Sequence, residues 1–299
     1  MQRYTITASD QKTQATVVPE RGGWVSSIIF PFASGAREIL YQHPYAWDPV
    51  IKDLLGGAPF LFPVCARISR NNQEGMYLFD GKQYHLKIHG FSWYQAWQVA
   101  QADDQSIEMV LKDSAETLQR YPFKFEVRLK YRIAPGKIYC DLTVTNQEYS
   151  RAMPYYAGFH PYLFIPGDKS KTFLEFKAVR RLKYNETLTD IIGDQPILKT
   201  PIALSDPSIN EQLSMLSRDK KVQLTYENGE KIVVTVEEGS DCFPYLQLYH
   251  MSEKPFFCIE HWMGFPNAIN TVSGVRWLQP SESEHAVYTI SVPCLPGMP

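Results

Sequence analysis

The chain carries no surplus of either charge. Its 299 residues hold 30 Lys and Arg against 32 Asp and Glu, a formal net charge of -2. Without excess cations there is no general attraction to phosphates, so no nucleic-acid partner is expected. Long apolar runs are also missing. No run of about 18 apolar residues is available to span a bilayer, and Met1–Lys12 is polar where a secretory leader would be apolar. The expectation is a soluble, cytoplasmic protein with no membrane partner. Cysteine is sparse and unpatterned. Cys65, Cys140, Cys242, Cys258 and Cys294 are odd in number and lack the paired spacings of a zinc site, so ordinary reduced thiols are expected. There is no P-loop, no Gly-x-Gly-x-x-Gly after a strand and no Gly-x-Ser-x-Gly elbow, which leaves nucleotide-dependent and Ser-His-Asp chemistry without support. Helical periodicity is scarce too; only Ile51–Leu55, Ala115–Arg120 and Asn210–Leu216 read as helical turns.

Aromatic residues, by contrast, are plentiful: six Trp, 18 Tyr and 16 Phe make up 13% of the chain. Period-two alternation accompanies them. Phe123, Phe125, Val127, Leu129, Tyr131 and Ile133 interleave with Lys124, Glu126, Arg128, Lys130 and Arg132, which puts one face of a strand in a core and the other in water. Ala134-Pro135-Gly136-Lys137 reverses the chain, and Ile138, Cys140, Leu142 and Val144 resume the pattern. A second hairpin centres on Asn228-Gly229, the dipeptide suited to a two-residue turn. Shorter strands are expected at Tyr4–Thr7, Ser26–Phe30, Tyr84–Ile88, Ile107–Leu111, Phe173–Phe176, Tyr245–Tyr249, Phe256–Ile259 and Val287–Val292. Many strands, few helices, no linker and no repeat predict an all-β fold: residues 1–299 as one large antiparallel β-sandwich, its facing sheets filled by the aromatics.

Four segments differ from strand filler. Leu55-Gly56-Gly57-Ala58-Pro59-Phe60-Leu61-Phe62-Pro63 leads to Arg67-Ile68-Ser69-Arg70, and His89-Gly90-Phe91 precedes Trp93 and Trp97. Gly158-Phe159-His160-Pro161-Tyr162 joins a histidine to a restricted proline, and Cys258-Ile259-Glu260-His261-Trp262 sets an acid at the end of an apolar strand. The four-residue spacing of His85 and His89 would suit a metal pair on a helix; in a strand they merely share a face, and no metal site is assigned.

Taken in order, with Gly75, Tyr77, Asp80-Gly81-Lys82-Gln83-Tyr84-His85-Leu86, Glu116-Thr117, Tyr121-Pro122-Phe123 and Asn146 between them, these segments resemble the aldose 1-epimerase (galactose mutarotase) family over nearly the whole chain. The resemblance implies a large antiparallel β-sandwich that interconverts the α and β anomers of a free hexose without a cofactor. By the same likeness Glu260 matches the base on the C1 hydroxyl, and His160 the acid on the ring oxygen, a donor that an imidazolium could provide. His89 and Arg67 match sugar-binding residues, Trp262 is a candidate to stack on the pyranose, and Glu211 is the nearest acid to a family aspartate that holds the sugar. The family's Gly-Phe-Ala-Arg is replaced by Gly90-Phe91-Ser92-Trp93, and its Glu-Pro-Trp by Glu260-His261-Trp262. These departures leave two alternatives open: a sugar-binding or regulatory module without turnover, and a mutarotase for a phosphorylated hexose, for which Arg70, Arg151, Arg180 and Arg181 are too scattered to decide. The expected partner is a small-molecule sugar, with the protein a monomer or homodimer.

Overall fold

In the computed structural model, which describes residues 1–48 and 56–293, the alternating segments become the longest strands. Phe125–Ala134 and Lys137–Asn146 pair in register from Phe125–Asn146 to Ala134–Lys137, with every second residue buried. They sit inside a nine-stranded antiparallel sheet ordered Gln98–Ala102, Ser106–Lys112, Phe125–Ala134, Lys137–Asn146, Ser283–Ser291, Lys231–Glu238, Val222–Thr225, Phe173–Phe176 and Ile202–Ala203. A second sheet runs Ile191–Gln195, Ala178–Tyr184, Gln212–Leu216, Tyr245–Tyr249, Phe256–Trp262, Gly158–Phe159 and Phe60–Leu61, with Tyr162–Phe164 also pairing to Phe256–Trp262. The two sheets pack face to face, which is the expected sandwich. Phe159 of the second sheet stacks on Tyr288 of the first with ring centroids 4.1 Å apart, and Phe62 meets Phe125 at 5.0 Å. A four-stranded sheet (Tyr4–Thr7, Gln14–Val18, Trp24–Phe32, Gly35–Glu38) joins through the bridge between Val25 and Ala58.

Local chemistry explains most of the elements and several differences from expectation. The turn Ala115–Arg120 is helical because Ser114 and Thr117 cap it reciprocally. The segment Asn210–Leu216 is not helical: Gln212–Leu216 is a strand, held on both sides by Ala178–Tyr184 and Tyr245–Tyr249. Pairing on two edges overrides a short apolar pattern that fits either period. The strand beginning at Lys82 stops at His85, and His89 turns out of it with φ +65°, so His85 and His89 do not share a strand face. The Asn228-Gly229 hairpin closes with the Tyr226 and Glu230 backbones bonded across a three-residue loop, in which only Gly229 takes positive φ; a type I turn completed by a left-handed glycine replaces the two-residue turn. Ala268–Thr271 forms a helical turn that the pattern did not signal. The expected turn Ile51–Leu55 and Cys294 lie outside the described residues, while Cys65, Cys140, Cys242 and Cys258 are buried free thiols. Among the described residues no helix is long and apolar enough to cross a membrane.

Candidate active site

All seven residues of Phe256–Trp262 are buried, because the strand lies inside the second sheet with neighbours on both edges. Its side chains alternate between two environments. His261 points toward the nine-stranded sheet, where it meets Tyr288 and its Nε2–H donates to the Lys220 carbonyl at 2.7 Å. Glu260 and Trp262 point the other way, into a cavity of about 610 Å³. Register extends that face sideways: Gln247 is paired with Glu260 and Tyr249 with Cys258, and both Gln247 and Tyr249 line the cavity. Loops from elsewhere in the chain supply Arg67, His89, His160 and Glu211. The six residues singled out in the sequence therefore meet around one cavity.

The centre of the site is a carboxyl–imidazole contact. His160 Nε2 lies 3.4 Å from Glu260 Oε2, and the Trp262 indole N–H donates to the same oxygen at 3.1 Å. His160 is stacked on Tyr162 at 4.6 Å with the rings 9° apart, and meets His89 edge-on at 5.4 Å. The His89 Nδ1–H donates to the Cys65 carbonyl at 2.9 Å, which leaves Nε2 as an acceptor. Tyr184 donates to Gln247 Oε1 at 2.7 Å, and Gln247 Nε2 donates to Glu211 Oε2 at 3.1 Å. Glu211 adopts φ +48°, a left-handed conformation uncommon outside glycine, at the entry to its strand. At the rim Arg67 pairs with Glu74 at 3.0 Å, a half-exposed ion pair of small energetic weight.

Burial dominates the protonation of these groups. It raises the Glu260 carboxyl well above the usual carboxylate range, the nearby charge of Glu211 pushes the same way, and the Trp262 hydrogen bond opposes both. Burial, and then His89, drive the His160 imidazole well below its ordinary value. His89 is pushed down to about 4 by burial, with its bond to Cys65 resisting. Glu211 is also raised, chiefly by burial, while Arg67 and Gln247 stabilise its charged form. The imidazolium expected of His160 is thus disfavoured where it sits. Burial favours the uncharged forms of both the Glu260 carboxyl and the His160 imidazole, whose Oε2 and Nε2 lie 3.4 Å apart.

The sequence profile of the aldose 1-epimerase family matches residues 3–288. The chain belongs to that family. It is 27% identical over 244 residues to the chromosomal LacX protein of Lactococcus lactis subsp. lactis, a match covering 75% of this chain and 79% of LacX. Among solved structures it superposes on the Slr1438 protein of Synechocystis sp. PCC 6803 with a TM-score of 0.82 and 25% identity, covering 97% of this chain and 95% of the other. A galactose mutarotase related enzyme of Lactobacillus acidophilus shares the fold with a TM-score of 0.80 at 23% identity, covering 98% of both chains.

Within this family pattern the two departures fall in different places. His261 faces the inter-sheet core, and the strand pleat keeps it off the cavity while Glu260 and Trp262 remain on it. Ser92 is buried and its hydroxyl donates to the Phe60 carbonyl at 2.6 Å, whereas Trp93 lines the cavity where the family pattern has arginine. Sequence reasoning missed Gln247, Tyr184, Tyr162 and Tyr249 as parts of the site. A signal for Gln247 was present: it is the lone polar residue in Tyr245-Leu246-Gln247-Leu248-Tyr249, a strand expected from its alternation. What the sequence lacked was the register that sets Gln247 beside Glu260.

Proposed function

We propose that the protein is a mutarotase for an uncharged free hexose, with Glu260 and His160 as its proton-transfer pair. The observation that carries this reading is the 3.4 Å contact between two buried proton carriers on the wall of a cavity of about 610 Å³. Ring opening of a hemiacetal removes a proton from the C1 hydroxyl and adds one to the ring oxygen. Both oxygens are bonded to the same carbon, so base and acid must be near neighbours. The pair as it stands, carboxyl and neutral imidazole, holds the same number of protons as carboxylate and imidazolium. Transfer of one proton from Glu260 to His160 produces the form that opens the ring, and opening returns the pair to carboxyl and imidazole. Closure on either face of C1 then reverses the two transfers, with no proton drawn from solvent.

The remaining residues fit the binding of hydroxyls. His89 Nε2 is an acceptor, Arg67 a multiple donor, and Glu211 an acceptor oriented by Gln247. Trp262, bonded through its indole nitrogen, serves Glu260 directly and offers its ring edge to His89. A neutral rather than phosphorylated sugar is favoured because three of the four arginines named in the sequence are engaged by other groups, only Arg70 having no such engagement among the described residues. Arg151 bonds Glu148 and the Pro122 carbonyl, Arg180 pairs with Asp194, and Arg181 bonds Gln212 and the Ser208 carbonyl.

Polarimetry with freshly dissolved α-glucose, α-galactose, other aldoses and a hexose 6-phosphate tests the reading. Faster equilibration of at least one uncharged aldose than in buffer is expected. Saturable sugar binding in calorimetry with buffer-level rates for every sugar would instead establish a binding module, and acceleration of the phosphate ester alone would overturn the neutral-sugar assignment.

A further inference from the structure

Strand Phe256–Trp262 places a third chemically active group beside the proposed pair. Cys258 precedes Glu260 by two residues, so the pleat turns both to the same face. Donor atoms of His160, Cys258 and Glu260 all lie within 4.8 Å of one another, and this is the sole such grouping of three among the described residues. Cys258 is a free thiol with no exposure. Hydroxyl binding and proton transfer make no use of it.

Thiolate, imidazole and carboxylate are the three protein donor types that zinc accepts, whereas magnesium and calcium require oxygen and reject sulfur. Charge points the same way. A Cys258 thiolate and a Glu260 carboxylate together neutralise a divalent cation, so ion and ligands enter a low-dielectric site with no net charge. Zinc bonds of about 2.0–2.3 Å place donors of one tetrahedral ion less than about 4 Å apart, so side-chain rotations drawing the three inward by up to roughly 1 Å complete the site. His160 and Glu260 line the cavity, which provides the path of entry and leaves a fourth position open to solvent. His160 Nδ1 is buried without a hydrogen-bond partner, so the outer support that strengthens permanent metal sites is missing and binding is reversible.

We propose that Cys258, His160 and Glu260 form a zinc-binding site that switches off the proton-transfer pair by occupying it. Metal on Glu260 and His160 takes the lone pairs that ring opening uses. The inhibitory consequence rests on the mutarotase reading; the metal site itself does not.

The test uses full-length protein freed of metal with a chelator, titrated with Co²⁺ as a spectroscopic probe and with Zn²⁺ as competitor. A near-ultraviolet thiolate-to-cobalt charge-transfer band is expected, bleached by Zn²⁺ and absent in Cys258→Ser and Cys258→Ala. Zn²⁺ should inhibit anomer interconversion reversibly, with the inhibitory concentration raised by at least about tenfold in both variants. No band in the wild-type protein, or an equal band in folded Cys258 variants, overturns the site. A Cys258-dependent band with Zn²⁺-insensitive turnover overturns the switch. Failure to turn over any sugar defeats the mutarotase reading and the switch with it, while the band still decides the metal site.

Discussion

In the proposed role, Glu260 combines requirements that conflict for a carboxyl group: it must be ionised to accept a proton, yet it is buried and has a second carboxyl, Glu211, nearby. Its compensation is local: the Trp262 N–H donates to Oε2, which also lies 3.4 Å from His160 Nε2. Glu260→Gln keeps the shape and an acceptor for Trp262 but removes the exchangeable proton. Turnover should fall by about 10²–10⁴-fold, the usual span of general acid–base catalysis, with no loss of thermal stability because a neutral amide replaces the buried ionisable carboxyl at this position. The pH dependence follows from the shared proton. The rate should be bell-shaped, declining in acid when the pair carries two protons and in alkali when it carries none, with both limbs belonging to the pair rather than to either residue. Gln247 acts one step removed, holding Glu211 toward the cavity. Gln247→Leu should raise KM several-fold with a smaller change in kcat, measured by initial-rate kinetics; an unchanged KM would remove Glu211 from sugar binding.

At the scale of elements, the site depends on how closely strand Gly158–Phe159 approaches strand Phe256–Trp262. A Cβ on Gly158 would lie 2.6 Å from Trp262 Cδ1 and 2.7 Å from Cys65 Cβ, so only glycine permits the indole to sit where it holds Glu260. Gly158→Ala should destabilise the fold by about 1–3 kcal/mol, as overpacking does, and lower kcat more than a surface substitution, read by chemical denaturation and by rate. Strand alternation was legible where one face is solvated, as in Phe125–Ala134, because the polar residues mark the outer face. Where both faces are covered it was legible in Tyr245–Tyr249 and Phe256–Trp262 but not throughout. Gln212–Leu216 resembled a helical turn, since buried apolar residues carry no period of their own. Gln247 and Tyr249 lie in a strand that was expected, but their place in the site was not. Cross-strand register, which brings them to Glu260, is a property of two segments at once, and neither segment alone encodes it visibly. The ordered short motifs, with Glu211 added as the nearest acid to a family aspartate, named six candidates that line one cavity without revealing their distances. The short gap between His160 and Glu260, and the burial that together with His89 disfavours the His160 imidazolium, emerged only from the structure.

Across the whole molecule, a balanced charge and a deep site suit a neutral ligand, and burial of histidines ties folding to pH. His261, serving no sugar contact, is pushed down to about 4 by burial, against 6.5 for the ordinary side chain. Unfolding therefore takes up a proton between those values. The stability that His261 confers is complete above pH 6.5 and is lost as the pH falls toward 4, at about 1.4 kcal/mol per pH unit for one proton. His89 acts in the same direction. His261→Leu should flatten the decline in unfolding free energy from pH 6.5 to 5 by about that slope, while leaving the cavity and the rate at neutral pH little changed; a slope identical to wild type would mean that His261 is already protonated in the folded protein. The central claim, that Glu260 and His160 open and close a free sugar ring, is tested most directly by magnetisation exchange between the α- and β-anomer proton resonances of an unphosphorylated aldose at equilibrium. The account predicts protein-dependent exchange that disappears with Glu260→Gln and never occurs for the corresponding methyl glycoside. Undiminished exchange in Glu260→Gln, or none with any aldose in the wild-type protein, would contradict it.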